Sequence, residues 1–174
     1  MIVKCLMDNE ASSGEFLTEH GLSLYIETRD HKILFDTGAS PAFAENAERM
    51  GVDLAQVDIA VLSHGHYDHT GGLSTFLKLN SQADIYVSRH AFAPFVALRE
   101  GDRIEPIGMP DIPEVEEIRE RLLAGHRIPK TSRFRLAEGK TFLDEGLVLF
   151  SEPEGNCFWP EGNHRLLKAP DEPG

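Results

Sequence analysis

The sequence predicts a single α+β domain covering residues 1–174. Three observations lead there. Short apolar or alternating runs of strand length recur along the chain. Segments with helical periodicity separate several of them. A length of 174 residues is enough to bury one substantial core.

Each element has a local reason. Ile2–Met7 is apolar enough for a buried strand, and the polar stretch from Asp8 to Glu19 reads as a loop. Leu22–Glu27 alternates as a strand does. Arg29-Asp30-His31 then turns tightly into a second strand, Lys32–Asp36, so the two form a hairpin. Ser40-Pro41 opens a helix that runs to about Met50, because Ser suits the N-cap and Pro the first helical position. Phe43, Ala44, Ala47 and Met50 share one face of it, and Gly51 stops it. Ile59–Leu62 is a short buried strand. Gly71-Gly72 leads into a helix over about Leu73–Leu79, and Asp84–Ser88 is the next strand. A short helix is predicted over Ala91–Arg99, and Gly101–Pro113 is irregular because of its Gly and Pro content. Glu114–Ala124 is a charged helix with Val115, Ile118, Leu122 and Leu123 as its apolar stripe. Arg133–Leu136, Thr141–Leu143 and Leu147–Phe150 read as hairpin-like strands, with a turn at Glu138-Gly139-Lys140. From Glu152 onward the chain is rich in Pro, Gly and Glu, and no terminal element is expected.

The bulk composition excludes some functions. A net charge of −12 argues against a nucleic-acid backbone binder, which needs clustered Lys and Arg. No apolar run reaches the ~20 residues that span a bilayer, and Met1–Lys4 leads straight into a strand with no leader pattern. Cys5 and Cys157 are too few and too distant for a disulfide framework, which points to free thiols and a cytoplasmic location.

The chemistry concentrates after the Ile59–Leu62 strand. His64, His66, Asp68 and His69 lie within six residues, between a buried strand and Gly71-Gly72. A loop at the carboxyl end of a strand is where α/β folds place their sites. In an extended stretch, residues i and i+2 face the same way, so His64 and His66 can meet one metal together. Asp68 and His69 follow as the turn begins and can address a second. Mixed imidazole and carboxylate donors suit Zn²⁺, with Fe²⁺ or Mn²⁺ as alternatives, and leave positions for water. Two such ions clamp attacking and leaving oxygens. The bland alternative is an exposed His-rich loop with coincidental spacing. Gly65 and Tyr67 are expected to shape the loop, and Thr70-Gly71-Gly72 to let the backbone turn sharply beneath it.

His-x-His-x-Asp-His after an apolar strand resembles the motif of the metallo-β-lactamase superfamily. Phe35-Asp36-Thr37-Gly38 resembles its earlier motif, whose Asp supports the metal loop by hydrogen bonding. Asp8-Asn9, Glu19–Ser23, Ile33–Gly38, Ser63–Leu73 and Pro160–Asn163 further resemble the dihydropterin-phosphate (ribofuranosyl-aminobenzene phosphate) synthase-like branch of metal-dependent hydrolases. The resemblance implies an αββα sandwich of two similar halves with two divalent metals between them. It implies that the second half supplies another His, a bridging Asp and a last His. Only His164 follows Asn163 as a histidine, so the chain is expected to be C-terminally short, with the second metal site incomplete. Truncation, a second chain completing the fold, or His164 with an acidic residue standing in are the three readings. A half-sandwich would leave a sheet face uncovered, which favours a homo-oligomer or a partner chain.

The function this implies is hydrolysis of an ester, phosphoester or amide by a metal-activated water, with Asp68 orienting the nucleophile or relaying a proton. The substrate would be a small molecule bearing a pterin or phosphate. The alternatives are a non-catalytic or partner-dependent metal-binding half-domain, and a binding protein for a pterin or phosphosugar. Among other residues, Asp36 is the expected hydrogen-bond support for a metal-bound His, against an ordinary turn-capping Asp. His20 and His90 are cleft candidates that compete with surface or structural roles. His31 is expected to be solvent-exposed, and His126 to cap a helix end. Arg89 and Lys130 could meet an anionic substrate or be plain surface charge. The Glu114–Arg121 charge run reads as an exposed face with Glu117–Arg121 pairing, or as a lid.

Overall fold

The computed structural model describes residues 1–151 and 165–169. Its centre is a six-stranded sheet. β1 (Ile2–Met7), β2 (Ser23–Glu27) and β3 (Lys32–Phe35) run antiparallel to one another. After α1 (Ala42–Arg49), β4 (Ile59–Leu62) joins β3 in parallel. Two helices follow, α2 (Tyr67–Thr70) and α3 (Leu73–Leu79), and then β5 (Asp84–Val87) lies parallel to β4. β6 (Phe95–Leu98) and β7 (Ile104–Pro106) form a separate antiparallel pair, and α4 (Pro113–Leu123) returns the chain to β8 (Phe134–Leu136). β8 closes the order β1-β2-β3-β4-β5-β8. β9 (Lys140–Phe142) and β10 (Val148–Phe150) make a hairpin, and β11 (Leu166–Lys168) adds to β6.

The alternation of these strands sorts the sheet into two faces. Tyr25, Leu34, Ala60, Leu62, Ile85, Val87 and Phe134 form one core with Phe43 and Ala47 of α1, Leu73 and Phe76 of α3, and Val115 and Ile118 of α4. The opposite face carries Leu24, Ile26, Phe35, Val61 and Tyr86, which are half-buried, together with the buried Ile33 and Ile59. Helix ends follow their local chemistry. The Ser40 hydroxyl accepts from the Ala42 amide at the start of α1. Beyond α4, Gly125 takes φ +70°, and the Gly125 and His126 amides donate to the Leu122 and Arg121 carbonyls. His126 thus closes the helix through its backbone amide. Among the described residues, no helix is long and apolar enough to cross a membrane.

Four expectations need correction. The helix predicted over Ala91–Arg99 is instead a single 3-10 turn, Arg89–Phe92, followed by β6. Pro94 has no amide to continue a helix, and it biases Ala93 toward extended backbone. The three hairpin-like strands divide: β8 inserts beside β5, and only β9 pairs with β10. The segment near the C-terminus does contain an element, β11, whose register against Phe95–Ala97 is a tertiary contact that no local pattern announces.

His31, expected in solvent, is the fourth. Its Nε2 lies 2.6 Å from Asp144 in the β9–β10 turn, and its Nδ1 lies 3.2 Å from Asp58 before β4. Burial opposes its charge, but hydrogen bonds and charge from Asp144 and Asp58 outweigh it and raise the His31 pKa above its ordinary 6.5. A raised folded-state pKa stabilises fully below the unfolded value and is lost as pH climbs through the folded value. Wild-type thermal stability should therefore decline across roughly pH 6–8 relative to His31→Ala, whose profile should be flatter there. Parallel profiles in differential scanning calorimetry would contradict this staple.

Candidate metal centre

The β4 run ends at Leu62, and the chain then crosses the carboxyl end of the sheet as an extended segment. His66 is still extended, at φ −83° and ψ 149°, before the one-turn helix α2 starts. The His66 carbonyl accepts from the Thr70 hydroxyl at 2.8 Å and from its amide at 3.1 Å, which fixes that turn. Backbone bonds from other segments hold the loop in place. The Thr37 amide donates to the His69 carbonyl at 2.8 Å, the Leu22 amide to the Asp68 carbonyl at 3.2 Å, and the Tyr67 amide to the Ile107 carbonyl at 2.9 Å.

Gly65 and Gly71 are among the glycines required by close approach. A Cβ on Gly65 would stand 1.9 Å from the Ala91 carbonyl oxygen, and one on Gly71 would stand 2.1 Å from that of Ala39. Gly71 has ordinary helical angles, φ −62° and ψ −32°. Its role is thus to admit the neighbouring backbone, and not the sharp turn expected from the sequence. Gly71→Ala should lower stability by about 2 kcal/mol or more, because backbone must move to relieve the overlap. A denaturant midpoint equal to wild type would refute that.

Asp36 anchors the site from below. It is fully buried and takes φ +59°, a conformation that L residues rarely adopt. Its Oδ1 accepts from the Ser63 amide at 2.7 Å. Its Oδ2 accepts from the Ser63 hydroxyl and from His69 Nδ1, each at 2.7 Å. A carboxylate only accepts, so His69 carries its proton on Nδ1. Ser63 has one hydroxyl proton, given to Asp36, so at 2.9 Å it accepts from His64 Nδ1. In their neutral forms both rings are thereby left with bare Nε2 atoms. Ser63 is the residue that sequence reading missed. Its place between the strand and the first histidine was its only signal.

His64, Asp68 and His69 each offer a donor atom, and these atoms all lie within 4.8 Å of one another. The His66 ring stands edge-on to His64, with centroids 4.6 Å apart, and its other side meets Phe95. Burial, then the neighbouring His69 and His66, pushes the His64 pKa down to about 4. His64 is therefore neutral at neutral pH and its lone pair is available. Burial also lowers His66. For His69, burial works against the charge, but the Asp36 hydrogen bond and the Asp36 and Asp68 carboxylates raise its pKa. His20 is largely exposed, yet its Nε2 reaches within 3.4 Å of Asp68. His90 sits on the Arg89–Phe92 turn and lines a different cleft. His164 and the Pro160–Asn163 segment lie outside the described residues.

The comparisons with known proteins follow this geometry. Residues 18–145 match the family model of the metallo-β-lactamase superfamily. The chain belongs to the metallo-β-lactamase superfamily. This superfamily domain is 25% identical to the crystal structure of Tm1679, a metal-dependent hydrolase of the β-lactamase superfamily, at a TM-score of 0.65 over 94% of this chain and 52% of that one. An uncharacterized protein of Methanocaldococcus jannaschii is 26% identical over 82% of this chain and 59% of its own. The 7,8-dihydropterin-6-methyl-4-(β-D-ribofuranosyl)-aminobenzene-5′-phosphate synthase of the same organism is 34% identical over 49% of this chain and 31% of its own. This metallo-β-lactamase-fold chain thus spans between 31% and 59% of the length of these relatives. Family membership implies divalent-metal binding, and the three-donor group suits such an ion.

Proposed function

We propose that the chain is a metal-dependent hydrolase acting on an ester, phosphoester or amide of a small molecule. The observation that carries this reading is the convergence of His64, Asp68 and His69 over the buried Asp36 carboxylate. In this reading His64, His66, Asp68 and His69 hold up to two divalent ions, zinc being the best match to the donors. Bound there, the metal supplies Lewis acidity and lowers the pKa of a water toward ~7. The chain's own residues do the rest. Asp36 and Ser63 orient the two imidazoles and keep their Nε2 atoms bare. Asp68, half-buried with His20 beside it, orients the nucleophile and takes up or returns a proton. The synthase relative favours a pterin- or phosphate-bearing substrate. The paucity of cysteines favours a cytoplasmic setting.

Hydrolysis of bis(4-nitrophenyl) phosphate and 4-nitrophenyl acetate tests this directly. Turnover should depend on added Zn²⁺ or Mn²⁺ and vanish with a chelator. Chelator-insensitive turnover, or none with any metal, would count against it.

One observation favours a second reading. The half-buried apolar side chains Leu24, Phe35, Val61 and Tyr86 on one sheet face fit a site completed by another polypeptide, either a second copy or a partner chain. That reading predicts metal uptake without turnover in the isolated monomer, and a larger species in sedimentation when activity appears.

A further inference from the structure

The C-terminal half of α4, the 125–130 loop, β8 and the Arg89–Phe92 turn enclose a cleft of about 1680 Å³. None of His64, His66, Asp68 and His69 lines it. Its charge inverts that of the chain. The chain has 29 Asp and Glu against 17 Lys and Arg, whereas among the described residues six of those 17 line this cleft, with Glu138 as the one acid. Arg89, Arg119 and Arg135 are held by Glu138, Asp111 with Glu116, and Asp84. Arg127, Lys130 and Lys168 pair with no carboxylate among the described residues, and all three are exposed. Beneath them lies an apolar floor. Phe92 and Phe134 meet edge-on at 5.9 Å, beside Leu122, Ile128 and Leu136.

We propose that this cleft binds a small organic phosphate, with its phosphate at Arg127, Lys130 and Lys168 and its apolar or aromatic body on the floor of Leu122, Ile128 and Leu136, which Phe92 and Phe134 back. Cations gathered on a concave wall raise the local potential and favour an anion, and Arg and Lys are the side chains that hold phosphate. The apolar floor selects a compact body, as small-molecule sites do. A long polyanion is repelled by a chain of net charge −12. The site stands independently of the metal reading, because it shares no donor with the His64–His69 loop.

Isothermal titration of the full chain with phenylphosphonate, which has no P–O–C ester to hydrolyse, tests it. Binding at about 1 mM or tighter is expected, with inorganic phosphate and phenol each weaker. The Arg127→Ala/Lys130→Ala variant should lose about tenfold or more in affinity, and Lys168→Ala should lose part of it. His64→Ala should leave it within about twofold, since that side chain is outside the cleft. The substituted cations are exposed, so the fold is retained, which circular dichroism checks. No binding up to about 10 mM, affinity unchanged in the cation variants, or binding lost in His64→Ala overturns the site. Inorganic phosphate binding as tightly as phenylphosphonate overturns the assignment of an organic body.

Discussion

Asp36→Ala should destabilise the fold by about 3–5 kcal/mol and weaken divalent-metal affinity by about 10–100-fold. Three donors meet this carboxylate: the Ser63 amide, the Ser63 hydroxyl and His69 Nδ1. Alanine leaves them without a partner in a buried place and puts a Cβ-only side chain at φ +59°. Asp36→Asn separates the two effects. Asn tolerates the left-handed backbone and keeps the size, but its amide group confronts donors with a donor. Its stability loss should therefore be smaller than that of alanine, while the His69 ring loses its fixed orientation and metal affinity still falls. Chemical denaturation and a metal-indicator titration read the two quantities separately. Unchanged metal affinity in both variants would show that Asp36 serves the backbone alone.

His64→Ala should reduce metal-dependent hydrolysis to background while the fold persists. His64 is only half-buried, and its imidazole touches other site residues: Ser63, the His66 ring and the His69 ring. Its removal therefore costs the structural core little. It deletes the donor whose low pKa, about 4, keeps a lone pair available across the neutral range. His20→Ala is the useful contrast. His20 sits beside Asp68 at the exposed rim, so its loss should change turnover by only a few-fold, about 2–10. Equal activity for wild type and His64→Ala, measured with the same added metal, would remove His64 from the mechanism.

Much of the site was legible from the residues. Types and spacing mark His64, His66, Asp68 and His69 because so few side chains ligate metals, and an apolar strand followed by a turn fixes where they stand. The support from Asp36 was also legible through the Phe35-Asp36-Thr37-Gly38 motif, whereas the parallel pairing of the preceding strand with β4 was not. How the donors group was not. The register between loop and neighbours comes from Thr37, Leu22 and Ile107, far apart in sequence, and it brings His64 to Asp68 and His69 while His66 also leans on Phe95. Gly71 shows a second limit. A glycine needed for close approach and one needed for a turn look identical in sequence, and only the Ala39 carbonyl decides between them. The helix predicted over Ala91–Arg99 failed for a readable reason, because Pro94 breaks it, whereas the seating of β8 beside β5 is a tertiary event. The cationic cleft escaped notice because its lysines and arginines come from five separate segments, and Arg89 and Lys130 alone do not stand out from surface charge.

The Ser63–His69 loop is expected to hold a divalent metal. Elemental analysis after equilibrium dialysis against dilute Zn²⁺ tests it most directly, with the His64→Ala/His69→Ala double variant as the reference. At least one tightly held ion per wild-type chain and none in the double variant are expected. Equal metal content in the two proteins, whether high or nil, would contradict it.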